Sequence, residues 1–259
     1  MKISVITPTG GRPLAFELCE LWMNRQTKQP DEWIVVDDYS MPTMCTLGQK
    51  YIRREPFWSP DGCITPEGYI GYMTLQHNLI EALKHVTGDI ILIIEDDDWY
   101  HPDYVKTIFN KFEKSFEENR FPLLIGDTLT RYYNINQYSY IIFNNLHHAS
   151  LCQTAFNSMF IPQVKILAVR FLYNTYFDNN LWKFSKGNKL NFLSKYPLSV
   201  GIKGLPGRPG AGNGHVNYLN KKTMPFVDEQ PFATLEKWIG KEDVQVYKRK
   251  LISTSINFA

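Results

Sequence analysis

Short apolar runs that stop at polar or glycine-rich residues recur along the first half of the chain, separated by stretches with apolar positions at helical spacing. Ile3–Thr7 reads as a strand that ends in Pro8-Thr9-Gly10-Gly11-Arg12-Pro13. Two glycines between prolines make a tight loop, and Pro13 suits the first turn of a helix. Leu14 to Met23 then carries Leu14, Leu18, Leu21 and Trp22 at helical spacing, and Trp33-Ile34-Val35-Val36 forms a second apolar run ending at Asp37-Asp38-Tyr39-Ser40. Strand, helix and strand in this order predict a right-handed βαβ unit.

Met41 to Ile70 is irregular and rich in Pro and Gly, which predicts a long ordered loop. A helix is expected over Met73–Val86, a buried strand over Ile90–Ile94, and a helix from Pro102 to about Phe116. Further strands are expected at Leu123–Ile125, Tyr138–Phe143 and Pro197–Lys203, and helices at Gln163–Asn174 and Asn179–Phe184. Leu235–Ile239 and Val244–Leu251 read as a short helical tail. Strands alternating with helices place the chain in the α/β class.

Strand Ile90–Ile94 is followed at once by four acids, Glu95-Asp96-Asp97-Asp98. Carboxylates crowded at such a strand end repel one another unless a cation or basic partner neutralises them. Taken alone, the run fits two readings: a site for a hard cation such as Mg²⁺ or Mn²⁺, or a solvated acidic turn.

At 259 residues the chain fits one large domain or a domain with a small appendage. The formal charge of +2 gives no global nucleic-acid signature, but the charge is uneven. Between Asp178 and Asp228 no acid occurs, while basic residues from Lys183 to Lys222 fall inside; the segment reads as a solvated face or a receiver of phosphates. Cys19, Cys45, Cys63 and Cys152 show no zinc or disulfide spacing and read mostly as buried thiols. No signal peptide and no transmembrane anchor are read in the chain, so a cytoplasmic setting is expected.

Taken together, the Val-Ile-x-Pro-Thr strand, Asp-Asp-x-Ser after the second strand and Glu-Asp-Asp-Asp-Trp-Tyr-His-Pro-Asp after the third resemble glycosyltransferase family 2. The likeness covers about the first 110 residues. It implies a GT-A fold, a Rossmann-like and mostly parallel sheet flanked by helices, with a smaller mixed acceptor-side region. It also implies a single domain with a nucleotide-sugar half (1–110), an acceptor half (111–225) and the helical tail (226–259). Pro8 and Thr9 would flank the nucleotide base, Arg12 would reach its phosphates, and Asp38 would accept a hydrogen bond from the base or else cap the turn. Asn78 joins the donor-binding set, with His77 standing where the family often has Arg.

Glu95 matches the first acid of the family's Asp-x-Asp motif and Asp97 the second, with Asp98 a frequent third. Asp97 is the first choice of metal ligand, Asp96 and Asp98 are its rivals, and Glu95 and Asp96 also count among donor contacts. The resemblance implies Mn²⁺ or Mg²⁺ and a nucleoside-diphosphate sugar, with a UDP-sugar foremost. Phe177-Asp178-Asn179-Asn180-Leu181-Trp182 matches the family's Glu-Asp-x-x-Leu-Trp with Phe177 replacing the Glu, which makes Asp178 the candidate general base of an inverting transfer; a helix N-cap is its alternative. In the Gly/Pro-rich stretch from Gly204, Arg208 could grip the diphosphate and His215 could add a metal or diphosphate contact.

The acceptor is left open between a saccharide and nucleic acid, such as a hydroxymethylated DNA base. Two other readings stand beside the transferase: a nucleotidyltransferase, and a non-catalytic nucleotide-sugar-binding protein with a degenerate site.

Overall fold

The computed structural model describes residues 1–54, 63–64, 70–71, 74–172, 176–185, 187–208 and 225–256. In chain order the first elements are β1 (Ile3–Thr9), α1 (Pro13–Asn24), β2 (Glu32–Asp37), β3 (Lys50–Arg53), β4 (Cys63–Ile64), β5 (Ile70–Gly71) and α2 (Leu75–Ala82). β6 (Ile90–Ile93), β7 (Asp98–Tyr100), α3 (Tyr104–Glu117), β8 (Leu124–Asp127), β9 (Leu129–Asn134), β10 (Ser139–Asn144) and β11 (Thr154–Asn157) follow. The chain continues with α4 (Ile161–Arg170), α5 (Phe177–Phe184), β12 (Lys189–Phe192), β13 (Ser199–Lys203), β14 (Phe226–Val227), α6 (Ala233–Ile239) and α7 (Lys241–Ile256).

Seven strands form the main sheet in the order β12-β8-β11-β6-β1-β2-β3. All run parallel except β11, which pairs antiparallel with both β6 and β8. The expected α/β class and mostly parallel sheet are therefore present. Alternate residues of each central strand enter opposite layers. Ile3, Val5, Val35, Ile90 and Leu92 pack against α1, α3 and the C-terminal helices, while Ile6, Ile34, Val36, Ile91 and Ile93 pack against α2, α4 and α5. Burial on both faces explains why these strands read as unbroken apolar runs. A second, mixed sheet (β14-β10-β9-β13-β7) leans on the carboxyl side of the first.

Several boundaries differ from the sequence reading. The expected irregular insert contains β3, which extends the sheet edge in parallel with β2. Glu20 and Asp37 order the loop before it: Glu20 accepts from the backbone and hydroxyl of Thr46 and from Gln49, and Asp37 accepts from the amides of Tyr39 and Thr43 and from the Tyr51 hydroxyl. The face of α1 is rotated from the expected one, since Leu21 is exposed while Ala15, Phe16, Cys19 and Met23 are buried. α2 is shorter than Met73–Val86, and α4 starts at Ile161, helped by Pro162 in its first turn. Of the cysteines, Cys19 and Cys152 are buried and Cys45 is partly so. No helix among the described residues is long and apolar enough to cross a membrane.

Gly126 shows how tightly β8 sits against α5. A Cβ there would lie 2.6 Å from Ala149 Cβ and 2.7 Å from Trp182 Cζ2. Gly126→Ala should lower unfolding stability by about 1–3 kcal/mol, the usual effect of overpacking. An unchanged denaturant midpoint would show that the contact yields freely.

Candidate active site

The site is built where the parallel strands end. β1, β2, β6 and β8 deliver Thr9, Asp37, the acidic run and Asp127 to one edge, the edge at which open α/β sheets hold ligands. The loop after β1 turns through Gly10 and Gly11. Gly11 has φ of 68°, and a side chain there would meet the Tyr39 ring, so glycine is required on both counts. That turn sends Arg12 back across the acidic run.

Each acid of the run has a different surrounding. Asp96 is buried, accepts from the Thr9 hydroxyl at 2.7 Å and pairs with Arg12 at 2.8 Å. Asp97 lies between Arg12, at 3.2 Å, and Lys203, at 3.4 Å. Asp98 is the first residue of β7 rather than part of a loop, and Lys203 lies 3.6 Å from its Oδ1. Four carboxyl groups face two cations, Arg12 and Lys203, so the cluster holds more acids than basic partners in a buried place.

The titration directions follow from this imbalance. Burial raises Glu95 to about 8, with Asp98 and Asp97 adding repulsion, and raises Asp98 to about 6 despite Lys203. Burial also raises Asp96, while Arg12 opposes it. Burial disfavours the charged forms of Arg12 and Lys203, yet the surrounding carboxylates hold both above their ordinary values. The oxygen-rich donor set and its excess of acids over basic partners suit a hard divalent cation. The solvated-turn reading fails on burial, because Asp96, Asp97 and Asp98 are at most 5% exposed.

At the end of β2 the two neighbouring acids divide. Asp37 organises the following loop, whereas Asp38 faces basic side chains: Arg208 Nη1 at 2.7 Å and Arg54 Nη2 at 3.2 Å. Arg208 also donates to Thr74 Oγ1, and its amide donates to the Gly11 carbonyl. Arg54 donates from Nε to Asn78, and the Asn78 amide reaches the Thr9 carbonyl at 3.5 Å. Asn78 is thus buried behind the crevice, bracing α2 to β1. His77, standing where the family often has Arg, is half-buried, and burial and Arg54 both lower its pKa. Pro8 is buried in β1 opposite Val36.

Asp178 is not the N-cap of α5; Tyr176 holds that position, and Asp178 lies inside the first turn with Oδ1 accepting from the Asn179 amide at 2.8 Å. The Gln76 amide at the start of α2 donates to the Phe171 carbonyl at the end of α4. From its first turn α5 runs back towards β12, and Trp182, one turn further on, donates to Thr154 at the carboxyl-edge end of β11. Burial pushes the Asp178 carboxyl up to about 6 against its backbone hydrogen bonds. His215 lies outside the described residues.

The structure therefore brings Thr9, Arg12, Asp38, Asp96, Asp97, Asp98 and Arg208 to one edge. The sequence reading named neither Lys203 nor Arg54 as a partner for the acids. Their signal was indirect: buried acids in a chain of near-zero net charge require basic partners, and Lys203 sits in the acid-free segment.

Lys203→Met leaves Asp97 and Asp98 with one cation fewer in a buried setting. It should cost about 3–5 kcal/mol of stability at neutral pH, as breaking a buried pair does. Chemical denaturation that finds no loss would mean that solvent already screens these charges.

The sequence model of the family described as Glycosyl transferase family 2 matches residues 4–160. The fold is similar to the crystal structure of S. aureus TarS 1-349, with a TM-score of 0.53 and 14% identity over 78% of this chain and 60% of that one. It is similar to the same protein in complex with UDP, with a TM-score of 0.52 and 14% identity over 78% and 60% of the two chains. The chain thus spans about 60% of the length of these structures, and at that identity the likeness is one of fold. No curated protein matches the sequence.

Proposed function

This chain belongs to glycosyl transferase family 2, and from that premise we propose that it moves a sugar from a nucleoside-diphosphate donor to an acceptor hydroxyl, inverting the sugar and using a divalent cation. The observation that carries the reading is the buried acidic run with more acids than basic partners, set across β1 from Asp38 on the carboxyl edge. Residues 1–110 would form the donor half, 111–225 the acceptor half and 226–259 the tail.

Asp38 and Thr9, with Pro8 beneath, would receive the nucleotide base, and a uridine nucleotide is favoured because TarS of similar fold is seen with UDP. Taking Asp38 requires Arg208 and Arg54 to give way, and both guanidinium groups are then near enough to bind the diphosphate. Asp97 would be the first ligand of Mn²⁺ or Mg²⁺, with Asp96 and Asp98 beside it. When bound, such a cation stabilises the negative charge that develops on the leaving nucleoside diphosphate. Arg12 already spans Asp96 and Asp97, so it orients these carboxylates and adds positive charge where the diphosphate departs.

Asp178 would deprotonate the acceptor hydroxyl. Its half-buried site raises the carboxyl to about 6, closer to working pH than a free Asp, which suits a general base. Because the base form is the ionised one, turnover should fall as pH drops through about 6, approaching about tenfold per unit below it. Asp178→Asn should keep donor binding and lose turnover with the acid limb; retained turnover returns Asp178 to a structural role.

A panel of nucleotide sugars with Mn²⁺, followed by slow donor hydrolysis, names the donor. Asp97→Asn should abolish that hydrolysis; full activity without added metal would remove the cation from the reading. Absence of hydrolysis with every donor would favour the non-catalytic alternative, and release of pyrophosphate from a nucleoside triphosphate the nucleotidyltransferase.

The acceptor would be a saccharide or a hydroxymethylated base in DNA. The acid-free segment carrying Lys183, Lys189 and Lys195 supports the second. DNA retention at low salt that weakens steeply as salt rises is the expected result, and no retention at low salt excludes DNA.

A further inference from the structure

The acidic run has a second side. While Asp96 and Asp97 turn to Arg12, Glu95 and Asp98 turn towards Cys152, which lies in a 3₁₀ turn, Leu151–Gln153, leading into β11. One ligand atom from each of Glu95, Asp98 and Cys152 can be chosen so that all lie within 4.8 Å of one another. Side-chain adjustment within the cluster would have to draw these atoms in to the roughly 2.0–2.3 Å at which oxygen and sulfur ligands hold such an ion.

An independent observation points to a missing ligand. Asp98 is only 1% exposed, and no N–H or O–H donor among the described residues reaches either of its carboxylate oxygens; what faces it is the weakly donating thiol of Cys152. Lys203, its charge partner, stops at 3.6 Å, beyond hydrogen-bonding distance, because it is shared with Asp97 and held over the Tyr132 ring. Buried carboxylate oxygens normally have partners, and an ion is one of the standard reasons for an exception.

We propose that Glu95, Asp98 and Cys152 form an inner cation site with a thiolate ligand, next to the Asp97 site of the transfer reaction and bordering it at Asp98. A thiolate beside two carboxylates selects a borderline or soft ion, Zn²⁺, Co²⁺ or Cd²⁺, over Mg²⁺. Binding transfers the thiol proton to the buffer and places the ion where β6, β7 and the turn before β11 meet. Its role is to lock the acidic run to β11, which makes it structural rather than catalytic.

The test is titration of the full chain with Co²⁺ alone, followed by near-ultraviolet absorption for thiolate-to-metal charge transfer. The expected result is a saturable band at one equivalent, absent in Cys152→Ser with unchanged circular dichroism. Glu95→Gln should weaken Co²⁺ binding at least about tenfold, as loss of one ligand does, while the band is still reached at saturation. No band in the natural chain, or a band that persists in Cys152→Ser and so arises from another cysteine, overturns the proposal. If Cys152→Ser does not fold, undiminished affinity in Glu95→Gln overturns it instead. The readout needs neither donor nor acceptor, so an inert transferase leaves it interpretable. Asp97→Asn should abolish donor hydrolysis while leaving the band in place, which separates the two sites.

Discussion

Compensation of buried negative charge is the constraint from which the rest of this structure follows. Four consecutive acids at a strand end cannot be carried into a protein interior by packing alone. Arg12 and Lys203 answer them from two distant parts of the chain, one on the loop after β1 and one at the end of β13. To deliver Arg12, the chain needs a turn that only glycines permit. To deliver Lys203, the second sheet must lean over the first, with β13 pairing antiparallel to β7 directly beside Asp98. The two sheets are thus fastened to each other by the same charges that make the crevice chemically useful.

The compensation is incomplete, and that is what distinguishes the run from an ordinary structural ion-pair network. A fully neutral cluster would resist any added ion. Here the raised proton affinities of Glu95 and Asp98 express the same deficit that a divalent cation would relieve.

Much of the architecture was legible in the sequence because its central strands are buried on both faces. Ile90–Ile94 and Ile34–Val36 admit little else than interior strands, and the acids that follow them mark the edge. β3 was hidden because Lys50–Arg53 is a half-exposed edge strand with charged ends, so it carries no apolar run. The face of α1 was misjudged at Leu21 because Glu20 is buried instead, engaged by Thr46 and Gln49 across a contact no local pattern announces. The order of Asp38, the acidic run and Asp178 could be read along the chain; the pairing of those acids with Lys203, Arg54 and Arg208 could not. Such pairings join residues more than a hundred positions apart in some cases, and periodicity carries no record of them.

Asp38 illustrates a wider consequence. Its carboxylate is already gripped by Arg208 and Arg54. Any incoming molecule therefore engages it by exchange, not by addition, and its apparent affinity is its own contact energy less that of the two contacts it displaces. A molecule bearing only a hydrogen-bond donor would leave two guanidinium groups stranded, whereas one that also brings anionic oxygens gives them somewhere to go. Discrimination between a bare nucleoside and its diphosphate can thus arise before either touches the acidic run, from the chain's own counter-ions acting as the first competitor.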